Sequence, residues 1–160
     1  MAKKKSATTL AMRALDEKGI AYEPRPQARK QFTAEGVAQD LGVPVAWVVK
    51  AMIVQKSDHG FALFVIPGDT QLSLKAAGAE LGDKNIALAS QRDVERITGY
   101  QVGAVSVLGY RRDDVPSCID QGVLALERVV ISSGRPDMGL EMDPTDLASA
   151  LDATIGEYAH

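Results

Sequence analysis

Hydrophobic positions along the chain follow two periods, one helical and one extended. Leu10, Ala14 and Leu15 fall on a helical stripe that Gly19 closes, and Val37 with Leu41 repeats the i,i+4 spacing between Thr33 and Gly42. Both segments are predicted as short surface helices. Residues 48–55 and Phe61–Ile66 are instead rich in β-branched and aromatic side chains, and Lys56-Ser57-Asp58-His59-Gly60 between them has turn composition, which predicts a hairpin. Ser73 can cap a helix that runs through Leu81 and ends at Gly82. Ser90 can cap another, with Val94 and Ile97 inward and Gly99 as its stop. Extended segments are predicted over 100–108, loosened by Gly103, over 115–119 and over 127–131. Asp143-Pro144 reads as an N-cap followed by proline at the first helical position, opening a last helix that buries Leu147 and Leu151.

Strands among four or five short helices, with no repeat and no long Pro/Gly/Ser linker, give the expectation of a mixed α/β (α+β) domain spanning residues 1–160, with 1–7 flexible. A length of 160 residues with 46% hydrophobic and 24% charged residues lets one core form and argues against extensive disorder. The net charge of -3 excludes a general basic field, so any nucleic-acid contact must rest on a local patch. Candidate patches are Lys3-Lys4-Lys5, the group Arg25, Arg29 and Lys30, and Arg111-Arg112, the last partly cancelled by Asp113-Asp114. Solvated surface charge is the plainer reading of each. No apolar run reaches the length of a membrane span, so no membrane partner is expected, and residues 6–19 are amphipathic rather than signal-like. Cys118 has no second cysteine to pair with, which fits a reducing, cytoplasmic setting.

Lys50 is the residue most at odds with its surroundings, because Val48, Val49, Ala51, Met52, Ile53 and Val54 around it are apolar on both faces of the predicted strand. A buried ammonium there needs a partner or a ligand anion to offset its desolvation. The plain alternative is a lysine at a strand end that reaches solvent or pairs with a carboxylate. The glycine-bearing segments 99–109 and 131–134 could aim backbone N–H groups at a phosphate or an oxyanion, or be ordinary turns, and neither matches a P-loop or dinucleotide motif. A nucleophile with its base is hard to assemble. His59 sits in a hairpin turn, His160 ends the chain, and Cys118 reads as a small core residue. No metal-ligand spacing is present, and neither metal nor other cofactor is expected.

Taken in order, Leu41-Gly42-Val43 with Val48-Val49-Lys50, then Gln71-Leu72-Ser73-Leu74-Lys75, Thr98-Gly99-Tyr100-Gln101-Val102-Gly103, Ser106-Val107-Leu108-Gly109, and Ser132-Ser133-Gly134 before Gly139-Leu140-Glu141 resemble the YbaK and prolyl-tRNA-synthetase-associated deacylases. The resemblance runs from about Thr9 to Ile155. It implies a mixed, barrel-like sheet with surrounding helices, and trans-editing cleavage of the ester that joins a wrong amino acid to tRNA. By resemblance, Lys50 matches the lysine needed for deacylation and Gly103 the glycine whose backbone lines the pocket. Phe32 matches an aromatic near the bound aminoacyl end, and Ala51, Ser106, Ser132, Gly134 and Glu141 fall at pocket positions.

The implied partners are aminoacyl-tRNA, tRNA(Pro) foremost, and prolyl-tRNA synthetase. No protein nucleophile is needed, since positioning plus an electrostatic anchor can cleave an activated ester. Ala51 stands where cysteine-type members carry threonine, Ala104 replaces a second glycine, Arg135-Pro136-Asp137-Met138 lengthens a turn, Glu141 replaces an aspartate, and the tyrosine before Phe32 is missing. The resemblance thus allows cysteine, alanine, serine or threonine as the amino acid removed, with cysteine first. The alternative is a non-catalytic module that binds tRNA or a synthetase. A small aminoacyl ester as substrate is a third reading, motivated by the acidic charge.

Overall fold

The computed structural model describes residues 8–109 and 114–160. Six α-helices occur among the described residues: α1 (Leu10–Glu17), α2 (Ala34–Leu41), α3 (Leu74–Leu81), α4 (Gln91–Thr98), α5 (Gln121–Leu124) and α6 (Pro144–Leu151). Their ends carry the predicted chemistry. Side-chain oxygens of Thr33, Ser73, Ser90 and Asp143 accept first-turn N–H groups, and α2, α3 and α4 stop on the left-handed residues Gly42, Gly82 and Gly99.

The described residues form eight strands in two sheets. β2 (Lys50–Gln55) and β3 (Phe61–Ile66) make the predicted hairpin, which begins two residues later than expected. β4 (Ala87–Leu88), β5 (Ser117–Asp120) and β8 (Thr154–Gly156) complete a mixed sheet in the order β4-β2-β3-β5-β8. β1 (Glu23–Pro26), β7 (Met138–Met142) and β6 (Val129–Ser132) form a separate antiparallel sheet in that order. β3 explains its unbroken apolar sequence, because all six of its residues are buried. Leu63 and Val65 join Leu15 of α1 and Ile131, Leu140 and Met142 of the second sheet in the larger core. Ala62 and Phe64 face Val54, Ala77, Cys118 and Tyr158 on the other side. Tyr158 meets Phe64 edge-on at 5.0 Å.

Two expectations need correction. Among the described residues the sheet is not a closed barrel: backbone pairing joins the two sheets where Val48 bridges Val130 and the Val49 N–H donates to the Val130 carbonyl at 3.1 Å. The outer strands discourage closure, since β1 carries Pro24 and Pro26, which have no N–H to give, and β4 is two residues long. The segment 100–108 is not a strand either. It is a packed loop in which the Tyr100 hydroxyl donates to the Leu108 carbonyl at 2.6 Å and Ala104, Val107 and Leu108 are buried, so its apolar pattern comes from loop packing rather than from a pleat.

Candidate active site

Because Val130 holds Val48 and Val49 at the seam, the chain leaves it at Lys50, the first residue of β2, opposite Ile66 at the end of β3. Beyond Ile66 the chain turns through Pro67-Gly68-Asp69-Thr70. The Thr70 hydroxyl donates to the Pro67 carbonyl at 2.7 Å, and the Gly68 N–H donates to the Ala46 carbonyl at 3.3 Å. A Cβ on Gly68 would strike the carbonyl oxygens of Val45 and Val48, so only glycine allows this close approach. The turn thereby presents the Thr70 carbonyl to Lys50, whose Nζ donates to it at 2.6 Å. Lys50 makes no ion pair among the described residues. An ammonium has three donors, and one is used here.

Lys50 opens onto a cleft of about 540 Å³, in the range that binds small ligands. Ala51, Ser132, Phe32 and Gly103 line it as well, so with Lys50 five of the eight residues singled out from the sequence come together here. Gly103 adopts φ +91°, and a Cβ on it would lie 2.6 Å from Phe32 Cδ1, so the aromatic ring rests on the glycine. Among the described residues the Gly103 N–H has no hydrogen-bond partner, and Gly103 is exposed. The first turns of α2 and α4 also reach the cleft, through Ala34 and Gln91, and add the partial positive charge of helix N-termini. The Ser132 hydroxyl is committed to structure, donating to the Ala104 carbonyl at 3.1 Å and accepting the Gly134 N–H at 3.1 Å.

Three of the named residues are not on the cleft wall. Ser106 is fully buried beneath the 100–108 loop. Gly134 faces the ring of Tyr100, where a Cβ would lie 2.5 Å from Cε1. Glu141 on β7 is clasped by Arg25 and by Arg128 Nε at 3.1 Å, an internal ion network that ties β1 and the strand-6 approach to the middle strand. The Arg25 patch is therefore largely spent: Arg25 serves Glu141 and Arg29 pairs with Asp40 at 3.4 Å. Lys3-Lys4-Lys5 and Arg111-Arg112-Asp113 lie outside the described residues. Thr70 escaped the sequence reading, although the composition Pro67-Gly68-Asp69 directly after a strand marks the turn that carries it.

Neither histidine reaches the cleft. His59 is an exposed hairpin residue with φ +69°, and His160 is exposed at the end of the chain. Cys118 is buried in the smaller core, where burial first and the nearby Glu80 second push its thiol up. No cluster of three or more metal-ligating side chains occurs among the described residues. What the cleft offers chemically is a cation with two spare donors, an unpaired backbone N–H and an apolar wall, a set suited to holding a carbonyl or a phosphate.

Residues 28–150 match the family model of the aminoacyl-tRNA editing domain. The chain belongs to the aminoacyl-tRNA editing domain family. EbsC of Enterococcus faecalis, provisionally named a Cys-tRNA(Pro)/Cys-tRNA(Cys) deacylase, is 28% identical, with 99% of this chain and 96% of EbsC aligned. A proline–tRNA ligase of Thermotoga maritima is 28% identical over 76% of this chain, but the match covers 20% of that ligase. The editing domain thus spans about a fifth of the synthetases it resembles. Among solved structures, a hypothetical protein superposes with a TM-score of 0.88 at 25% identity, covering 94% of this chain and 99% of the other. A structure provisionally described as a trans-editing enzyme for prolyl-tRNA synthetase gives 0.86 at 22% identity, covering 94% and 95%, and so shares the editing-domain fold. No helix among the described residues is long and apolar enough to cross a membrane.

Proposed function

We propose that this aminoacyl-tRNA deacylase hydrolyses the ester between a small amino acid, cysteine foremost, and the terminal ribose of tRNA(Pro), acting in trans to prolyl-tRNA synthetase. The observation that carries the reading is Lys50: a cation lining a largely apolar cleft, steadied by one carbonyl and in an ion pair with no carboxylate among the described residues, although Glu35 also borders the cleft. Such an ammonium is free to meet a phosphate or a developing oxyanion. Support for the substrate comes from the name of EbsC and from the likeness to proline–tRNA ligases.

In this scheme the ester carbonyl lies between Lys50 Nζ and the Gly103 N–H, with the amino-acid side chain against the apolar wall. The oxygen of a water molecule adds to the carbonyl carbon, and the negative charge gathering on the carbonyl oxygen is met by both donors. Collapse breaks the carbon–oxygen bond to ribose, the ribose oxygen takes a proton, and free amino acid and tRNA leave. When the thiol of a cysteinyl substrate attacks in place of water, its proton passes to the departing ribose oxygen and a cyclic thioester leaves, which a water molecule then opens to free cysteine. Either way no protein nucleophile is required. The need for such a site is physical, since a synthetase pocket cannot strongly exclude an amino acid of similar or smaller size.

The test is a screen of tRNA(Pro) charged in turn with cysteine, alanine, serine and threonine. Release of at least one amino acid well above the uncatalysed rate is the expected result, with cysteine fastest. Measurable tRNA binding with no release from any of them overturns the proposal in favour of a binding module. Salt-independent cleavage of a minimal aminoacyl ester without tRNA binding points instead to a small-molecule substrate.

A further inference from the structure

The wall of the cleft that carries Phe32 is held by a device built from residues outside the motifs that mark the family. Arg135 and Asp137, in the turn between β6 and β7, form a two-pronged pair within that turn, Nε to Oδ1 and Nη2 to Oδ2, both at 3.0 Å. The turn then accepts three hydrogen bonds from the segment just before Phe32. The Gln27 N–H donates to the Asp137 carbonyl at 2.8 Å, the Gln31 N–H to the Pro136 carbonyl at 2.8 Å, and Gln27 Nε2 to the Pro136 carbonyl at 3.3 Å. On its far side the same segment is fastened to α2, where Gln31 Nε2 donates to Asp40 Oδ2 at 2.9 Å. Phe32 follows directly and lies on Gly103. Five of these residues, Gln27, Gln31, Phe32, Arg135 and Pro136, border the cleft.

Phe32 has little else to hold it, since its side of the cleft leaves it 48% exposed. A half-exposed ring with open solvent beside it keeps one position only if its backbone is fixed. The bidentate pair adds to that fixity: the Ser133 hydroxyl already donates to the Met138 carbonyl at 2.8 Å and accepts the Arg135 N–H at 3.2 Å, and a planar guanidinium gripping both carboxylate oxygens narrows the shapes left to the turn. We propose that the Arg135–Asp137 turn is a strap that fixes Phe32 over Gly103 and so sets the width of the cleft, making Arg135 and Asp137 positioning residues that determine which amino acids fit. This rests on the deacylase reading for its consequence and on the hydrogen bonds alone for its mechanics. With the strap loosened, Phe32 swings outward and the cleft admits larger side chains.

Two measurements on Asp137→Ala and Arg135→Lys separate these parts. Amide hydrogen exchange at Gln27 and Gln31 is expected to quicken about tenfold or more in Asp137→Ala while the amides of β3 stay as in wild type. Arg135→Lys, which keeps the charge but loses the fork, falls between. Unchanged exchange at Gln27 and Gln31 overturns the strap regardless of any activity. The second measurement is the ratio of kcat/KM for tRNA(Pro) charged with leucine to that for tRNA(Pro) charged with cysteine. It is expected to rise about tenfold in Asp137→Ala, the scale on which hydrophobic pockets discriminate. Equal losses on both substrates, in step with a lower Tm, would mean a merely structural turn and sink the specificity claim. A wild-type protein that clears neither substrate refutes the deacylase reading instead and leaves the exchange result standing.

Discussion

Replacing Gly103 with alanine puts a methyl group where the structure has room for none. The new Cβ would lie 2.6 Å from Phe32 Cδ1 and 2.9 Å from Phe32 Cβ, and the residue would have to keep φ near +91°. Left-handed backbone costs an L-residue about 1–2 kcal/mol. The overlap adds less than a core clash would, because Phe32 is 48% exposed and its ring can swing into solvent, losing roughly 1 kcal/mol of burial. A total near 2–3 kcal/mol corresponds to a Tm lower by about 4–12 °C for a chain of this length. Activity should fall further than stability, by about 100-fold, because both the Gly103 N–H and the Phe32 wall move from where the ester would sit. Calorimetry beside a deacylation assay reads both quantities. Adding Phe32→Ala to Gly103→Ala should recover the share of the Tm loss due to overlap but not the share due to φ. A Gly103→Ala protein with unchanged Tm and full activity would refute the close approach and the role drawn from it.

Glu141→Gln leaves Arg25 and Arg128 without their shared carboxylate, and since both arginines keep partial access to water the cost is about 2 kcal/mol, below that of a fully buried pair. Activity per folded molecule should be unchanged, because Glu141 is not on the cleft wall; thermal unfolding with active-site titration checks both halves. Asp137 is held below the usual carboxylate range by the hydrogen bonds from Arg135 first, then by the charges of Arg135 and Lys30. A lowered carboxylate contributes its tie wherever it is ionised and loses it only as pH falls through the lowered value. Amino-acid selectivity should therefore hold constant from roughly pH 8 to pH 5 and relax only in stronger acid, as a pH series of the leucine-to-cysteine ratio will show.

Helices were the most legible part of this chain, since each depended on neighbours in sequence: Ser73 and Ser90 cap, Gly82 and Gly99 stop, and the structure keeps all four roles. The β2–β3 hairpin was legible for the same reason. β1 was not, because Glu23-Pro24-Arg25-Pro26 has neither alternation nor β-formers and is a strand only because β7 lies beside it. The 100–108 loop misled because Tyr100, Ala104 and Leu108 are buried by tertiary packing that mimics a pleat. At the site, Lys50 stood out as a charge in an apolar run, yet which way it points was decided by Gly68 and Thr70, on a turn remote from it in sequence. Glu141 shows the converse. The resemblance put it at the pocket, yet the structure places it off the cleft wall, and its contacts with Arg25 and Arg128 span distances no local pattern records.

The cation on the cleft rim is the centre of the account, and the direct measurement is single-turnover release of cysteine from Cys-tRNA(Pro) by wild type, Lys50→Met and Lys50→Arg. Methionine keeps the length and apolar stem of lysine and removes the charge, so folding should be preserved. The account predicts a rate about 100-fold lower for Lys50→Met and a partial recovery for Lys50→Arg, with Tm values close to wild type. A Lys50→Met protein that releases cysteine at the wild-type rate contradicts it.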